Sequence, residues 1–82
     1  MVPPFPKLHG SQVVLVRAEI KTGHVLDENF RISISQNQNV YTIFENIDLA
    51  ISAAKLIVNK RRDVECNLYD KDDKFLQVIT FE

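Results

Sequence analysis

The chain has 82 residues, of which 45% are hydrophobic and 26% are charged, and its formal net charge is −1 at pH 7. This length predicts one domain, and the composition excludes a disordered chain. A net charge so close to zero gives no long-range attraction to nucleic acid or to an anionic membrane surface. No apolar run approaches the ~18 residues that a transmembrane helix needs, so we expect no membrane association.

The chain begins with a proline-rich segment, residues 1–10, which we interpret as an arm before a single domain over residues 11–82. Its three prolines favour an extended path. Phe5 would either dock on the domain or belong to a disordered tail, and the sequence leaves both alternatives open. The segment lacks the charged start and the apolar centre of a signal peptide, so we expect a cytoplasmic protein.

Three segments before the middle of the chain are predicted to be strands. Residues 12–21 and 29–35 alternate apolar and polar side chains, as strands with one buried face do. A short strand over residues 40–44 follows a polar turn. The side chains assigned to the core face of the first two strands are Val14, Val16, Ala18 and Ile20, then Phe30, Ile32 and Ile34.

Residues 46–61 carry the one clear helical pattern, with Asn46 as a suitable N-cap. The main apolar face, at helical spacing, consists of Ile47, Ala50, Ile51, Ala54, Ile57 and Val58. The polar strip is narrow and consists of Asp48, Ser52, Lys55 and Asn59. Leu49, Ala53 and Leu56 extend the apolar face around the helix, so apolar surface remains for a second contact.

The chain ends in two predicted strands, Val64–Tyr69 and residues 74–82, which are separated by an acidic turn. The facing of the last strand is ambiguous, because large apolar side chains occur at both alternations. The elements follow the order β-β-(β)-α-β-β, and the short turns favour antiparallel neighbours. We therefore predict an α+β fold, a two-layer sandwich with an antiparallel sheet of four or five strands and one helix on one face.

One cysteine and two histidines are the candidates for nucleophilic or metal chemistry. Cys66 alternates with apolar neighbours and is assigned to the core, where a thiol is inert. His9 and His24 have no second ligand at a metal-binding spacing. The acidic turn, residues 70–73, lacks the glycine and glutamate of a calcium loop, and we interpret it as a hairpin turn. We expect a protein that is not an enzyme and that holds no cofactor or metal.

Surplus apolar surface predicts a protein-interaction or self-association module, most simply a homodimer. We expect contacts through the helix or through the sheet face away from it, and we favour the sheet face. Pairing of an edge strand, residues 12–21 or 74–82, is a further route. The predicted interface residues are Val13, Leu15, Leu49, Leu56, Ile79 and Phe81.

The alternative function is a nucleic-acid-binding module with a basic patch around the C-terminal end of the helix. Its candidate residues are Arg17, Arg31, Lys55, Lys60, Arg61 and Arg62. Asp63 and Glu65 dilute this positive charge, and few basic groups accompany the aromatic rings of the sheet. We therefore favour a second copy of the chain or another protein as the partner over nucleic acid.

Overall fold

A five-stranded antiparallel sheet carries one α-helix on one face. The computed structural model describes residues 3–81. Its elements are β1 (Val13–Glu19), β2 (Val25–Leu26), β3 (Tyr41–Phe44), α1 (Ile47–Lys60), β4 (Val64–Tyr69) and β5 (Phe75–Ile79). β1 pairs with β4 along one edge and with β2 and β3 along the other, and β5 pairs with β4. The predicted two-layer α+β sandwich is confirmed.

The helix α1 begins and ends where its capping residues predict. The Asn46 side chain accepts a hydrogen bond of 3.0 Å from the backbone N–H of Leu49, which satisfies a free donor of the first turn. Arg61 donates its backbone N–H to the carbonyl of Ile57 at the other end. The predicted apolar face packs on the sheet, and the predicted polar strip is exposed.

The helix packs on the face of β1 that carries Val13 and Leu15, so the predicted facing of this strand is wrong. Val14 and Val16 lie on the opposite face and are buried as well. Alternation cannot select the helix side of a strand when both sets of side chains are apolar and both are covered. Ile20, also assigned to the core, lies in the turn after β1 and is exposed.

The N-terminal arm covers part of the sheet face opposite α1. The ring of Phe5 contacts the rings of Tyr41 and Tyr69 edge to face, at centroid distances of 5.8 and 6.4 Å. The Tyr41 hydroxyl donates a hydrogen bond of 2.7 Å to the carbonyl of Pro3, and Leu8 is buried. The arm therefore docks on the domain, and each such ring pair contributes ~0.5–1.5 kcal/mol beyond the burial of area.

Residues 29–35 do not form the strand that their alternation predicts. The Asp27 carboxylate accepts hydrogen bonds of 2.8 and 3.0 Å from the backbone N–H groups of Asn29 and Arg31. The side-chain carbonyl of Gln38 accepts two more from backbone N–H groups of the same segment. These local bonds occupy backbone N–H groups that would otherwise pair with a neighbouring strand, so the segment forms a loop. Its pairing with β2 is limited to an isolated bridge between Leu26 and Ile32. The isoleucines of the segment are consequently exposed.

A bulge in β5 explains why the facing of the last strand is ambiguous in the sequence. Leu68 of β4 lies opposite Gln77 of β5. The next residue of β4 lies opposite Phe75, which leaves Leu76 as the extra residue. The bulge reverses the alternation, so Ile79 lies in the core beneath α1 whereas Phe75 lies on the opposite face.

Replacing Ala54 with Asp is expected to unfold the protein, because Ala54 is fully buried against the sheet and a carboxylate there has no partner. Ser52→Asp, on the exposed polar strip of the same helix, is the matched control. We expect it to change the free energy of unfolding by less than ~0.5 kcal/mol. Urea denaturation followed by circular dichroism measures both. A cooperative, native-like Ala54→Asp variant would contradict the facing of α1.

Candidate functional site

The outer edge of β5 is the first of two surface features that carry functional information. Within residues 3–81, no strand pairs with this edge. Three large apolar side chains are exposed beside it: Phe75 by 53%, Leu76 by 37% and Val78 by 46%. Free backbone donors and acceptors next to exposed apolar groups are a template for pairing with another strand. We call these three residues and the free backbone of the strand the β5 edge.

The predicted interface residues divide between the core and the surface. Val13, Leu15 and Ile79 lie in the core between α1 and the sheet. The sheet-face interface that we favoured needs these residues on a surface away from the helix, and that interpretation is wrong. The exposed members, which remain predicted contacts, are Leu49, Leu56 and Phe81. The side chains of the β5 edge were not predicted, although apolar residues on both faces of the last strand were a signal for them.

The second surface feature is a cleft of about 390 Å³ between β1, the loop after β2 and the C-terminal half of α1. We call it the basic cleft. It is lined by Arg17, Phe30, Leu56, Ile57, Lys60 and Arg61. The fold thus brings Arg17 of the predicted basic patch to Lys60 and Arg61, which are more than 40 residues away in the sequence. It also adds the ring of Phe30, a residue that the sequence analysis assigns to a strand.

The other residues of the predicted basic patch lie elsewhere. Lys55 and Phe81 line a second groove, between α1 and the end of β5. The guanidinium carbon of Arg62 lies 3.9 Å from the centre of the Phe81 ring. Arg31 is exposed in the loop after β2. The six basic residues are therefore divided between two grooves and a loop, rather than forming the single stripe that a nucleic-acid backbone follows.

Arg17 differs from the other basic residues because its side chain is buried without an ion pair. It is 8% exposed, and its Nη1 donates a hydrogen bond of 3.0 Å to Thr42 Oγ1. Among the described residues, its Nε has no hydrogen-bond partner and no carboxylate oxygen lies within 4.0 Å of the guanidinium. Burial lowers the pKa of Arg17, and the opposing influences of Cys66, Glu28 and Asp27, in that order, offset only part of this effect.

Phe30 is held over the cleft by the loop after β2. Its backbone φ is 63°, in the left-handed region that bulky residues avoid. Its ring centre lies 4.8 Å from the guanidinium carbon of Arg61 and 5.8 Å from that of Arg17, which are cation–π distances.

The loop that holds Phe30 is fixed by Asp27. Besides its two backbone N–H bonds, Asp27 accepts a bond of 2.8 Å from Gln38 Nε2. These bonds, above all that from Gln38, lower the pKa of Asp27.

Arg61 and Lys60 differ in how much of their charge is available to a ligand. Arg61 donates through Nε and Nη2 to both carboxylate oxygens of Asp63, at 3.2 and 3.1 Å. This pairing raises the pKa of Arg61 and lowers that of Asp63. Lys60 has no carboxylate oxygen within 4.0 Å in the described part of the chain. Within residues 3–81, the positive charges of the cleft that lack an ion pair are therefore those of Arg17 and Lys60.

Cys66 lies on β4 directly opposite Arg17 of β1 and is fully buried, as predicted. Burial raises the pKa of the thiol to about 11, although the positive charge of Arg17 acts in the opposite direction. A thiol that ionises so rarely at neutral pH is not an effective nucleophile. Its place in the core is therefore a matter of packing.

Asp70 caps the turn between β4 and β5, as the hairpin interpretation predicts. Its carboxylate accepts backbone N–H bonds from Asp72 and Lys74, at 2.8 and 3.0 Å. Both bonds lower the pKa of Asp70, and the bond from Lys74 has the larger effect.

Among residues 3–81, no three His, Cys, Asp or Glu side chains are grouped so that they could hold a metal ion. No helix in that range has both the length and the apolar composition to cross a bilayer.

No family model, curated protein or solved structure matches the chain. Its function is therefore inferred from the geometry of the β5 edge and the basic cleft.

Replacing Asp27 with Asn tests the loop that positions Phe30. The carbonyl of the Gln38 side chain is held by two backbone N–H donors, so its amide cannot turn over. Both carboxylate oxygens of Asp27 accept hydrogen bonds, and Asp27→Asn replaces one of these oxygens with an NH2 group, which can only donate. In one orientation the NH2 group faces Gln38 Nε2, and in the other it faces the backbone N–H groups of Asn29 and Arg31, so a hydrogen bond is lost in either case. We expect a melting temperature lower by a few degrees and a weaker contact between Phe30 and the two guanidinium groups. Differential scanning calorimetry and ring-proton chemical shifts measure the two effects.

The acid dependence of stability provides the second readout of the same variant. The pKa of Asp27 is lowered in the fold, so this group stabilises the protein at neutral pH and loses its effect as pH falls below ~3.8. Asp27→Asn should reduce the slope of stability against pH in that acidic window. Asp72→Asn, at an exposed position of the β4–β5 turn, is the control and should behave like the wild type. An unchanged slope for Asp27→Asn would contradict the assigned role.

Proposed function

We propose that the chain is a non-enzymatic protein-interaction module that forms a homodimer by pairing its β5 edge with that of a second copy. The observation that carries this proposal is the coincidence of a free strand edge with three exposed apolar side chains, Phe75, Leu76 and Val78. Neither property alone would suffice, because scattered exposed apolar residues and short edge strands both occur in monomers.

Of the strands that have a free edge, β5 is the longest, with five residues against four in β3 and two in β2. Natural proteins protect such edges with proline, with charged side chains within the strand, with a β-bulge or with a covering loop. β5 has a bulge at Leu76, and the residues after it continue the ladder with β4. The sequence of β5, FLQVI, contains neither proline nor charge. The β5 edge is therefore the part of the sheet with the strongest tendency to pair.

A second copy is the partner that fits this edge. Antiparallel pairing of two β5 strands about a two-fold axis satisfies the free donors and acceptors of both copies and continues the antiparallel sheet. A net charge of −1 gives little repulsion between copies. The groove lined by Leu56 and Phe81 lies between α1 and the end of β5, so apolar groups of both layers would be buried by the same contact.

We also propose that the protein acts in the cytoplasm and that its partner is protein rather than nucleic acid. The thiol of Cys66 is free and buried, as is typical of proteins from reducing compartments. The basic residues are divided between two grooves and a loop, and they would not follow a polynucleotide chain.

Sedimentation equilibrium of the wild type and of Val78→Lys tests the dimer. We expect the wild type to be dimeric at ~100 μM, which corresponds to an association free energy of about −5.5 kcal/mol or more favourable. Val78 is exposed, so Val78→Lys should remain folded, while two lysines near the two-fold axis should weaken association at least ~10-fold. A wild type that is strictly monomeric at that concentration would contradict the proposal.

Two further variants make the test specific to β5. Ile34→Lys introduces the same charge at a more exposed isoleucine, in the loop after β2, and should leave the dimer intact. Leu56→Lys tests the helix surface, and under the proposal it should weaken association less than Val78→Lys does. If Leu56→Lys gives a monomer while Val78→Lys stays dimeric, the helix is the interface and the assignment to β5 is wrong.

A further inference from the structure

The buried guanidinium of Arg17 is a feature that packing of the domain does not account for. Removing a cation from water without a close anion is costly, and proteins rarely keep one in that state. The carboxylates whose charges act on Arg17 are those of Glu28 and Asp27. Asp27 is engaged by three donors of its own loop, and Glu28 accepts a bond of 3.1 Å from Asn39 Nδ2. Neither carboxylate is placed within 4.0 Å of Arg17.

The walls of the basic cleft are mainly apolar around this charge. Phe30, Leu56 and Ile57 form the apolar lining. Lys60 adds a second positive charge at the rim, and no carboxylate of the described residues pairs with it. The volume of about 390 Å³ is within the range of small-molecule sites, ~300–1,000 Å³. An apolar cleft with a few converging charges of one sign selects a ligand with an apolar body and a charged group of the opposite sign.

We propose that the basic cleft binds a small organic anion, whose carboxylate or phosphate group lies between Arg17 and Lys60 and whose apolar body contacts Phe30, Leu56 and Ile57. The anion supplies the counter-charge that Arg17 lacks. The planar guanidinium is suited to such groups, because it donates two parallel hydrogen bonds to a carboxylate or phosphate. Phe75, Leu76 and Val78 do not line this cleft, so Val78→Lys, which should weaken the dimer, leaves the proposed ligand contacts in place.

The backbone of Phe30 supports the same assignment. A bulky residue with φ of 63° is strained, and such strain is concentrated at binding and catalytic sites. The strain persists because three donors on Asp27 fix the loop. The ring is thereby held at the cleft in advance of binding, which lowers the entropic cost of ordering it around a ligand.

Phenyl phosphate is a suitable probe, because it combines an aromatic body with a phosphate. The titration uses the full ¹⁵N-labelled chain and follows the Nε–H resonance of Arg17 and the ring protons of Phe30 by nuclear magnetic resonance. We expect saturable shifts of both groups. Inorganic phosphate lacks the apolar body and benzyl alcohol lacks the charge, so each should bind at least ~10-fold more weakly than phenyl phosphate, since both halves of the ligand contribute to affinity.

Two variants assign the binding to the cleft. Arg17→Met should weaken binding of phenyl phosphate at least ~10-fold while leaving the urea midpoint unchanged or raised, because it removes a buried charge without an ion pair. Lys60 is exposed, so the Lys60→Gln variant should fold normally. We expect it to bind phenyl phosphate at least ~3-fold more weakly, because it lacks a positive charge at the rim of the cleft. Lys71→Gln, in the β4–β5 turn and outside the cleft, is the matched control and should bind like the wild type.

Three results would overturn the proposal. The first is the absence of a saturable chemical-shift change at Arg17 and Phe30 when phenyl phosphate is added up to 10 mM. That concentration is ~10-fold above the ~1 mM dissociation constant of a weak ligand. The second is an Arg17→Met variant that loses stability but binds phenyl phosphate as the wild type does, which would make Arg17 a structural residue. The third is tighter binding of a single-stranded oligothymidylate, with shifts that extend to Lys55 and Arg62, which would indicate a polynucleotide surface instead.

Discussion

The enclosure of β1 on both faces and along both edges is the constraint on which the rest of the structure depends. Six of its seven residues are buried. β4 is bonded to one edge, and β2 and β3 share the other. α1 covers the face of Val13 and Leu15, while Phe5 of the arm lies over the opposite face beside Val16. A domain of this size can bury only a small core, and a strand covered from every side uses its apolar residues on both faces.

Both surface features follow from this arrangement. β1 and β4 are bonded on both edges, so the sheet can extend only at its outer strands, of which β5 is the longest. Alternate residues of a strand share a face, so the packing of Val13 and Leu15 beneath α1 carries Arg17 to the same side. There the helix ends and Phe30 covers the guanidinium. A cation without an ion pair is costly to bury, and we infer on that basis a ligand that supplies the counter-charge of Arg17.

The fold class and α1 could be predicted because their signals are local: helical spacing, the Asn46 cap and short turns. The sequence could not predict which side chains of β1 face the helix, because both faces of this strand are apolar. That facing depends on the side of the sheet on which α1 packs. Alternation predicts a strand over residues 29–35, but a loop forms there because backbone N–H groups of this segment donate to the side chains of Asp27 and Gln38. The basic cleft could not be predicted, because it forms from residues that are far apart in the chain. The sequence identifies its two arginines and its lysine only as members of a candidate basic patch.

Amide hydrogen exchange in β1 and β5 at two protein concentrations tests the central claim most directly. Every residue of β1 from Val14 to Ala18 has a bonded neighbour on both sides, so its amides should be slow to exchange at any concentration. In an isolated copy, the amides of β5 after the bulge, residues 77–79, alternate between groups bonded to β4 and free groups. At ~100 μM, where an association of about −5.5 kcal/mol or more favourable is populated, the intervening β5 amides should be protected. At a concentration ~10-fold below the dissociation constant that sedimentation gives, they should exchange fast. Protection of alternate β5 amides alone at both concentrations would contradict assembly through this edge.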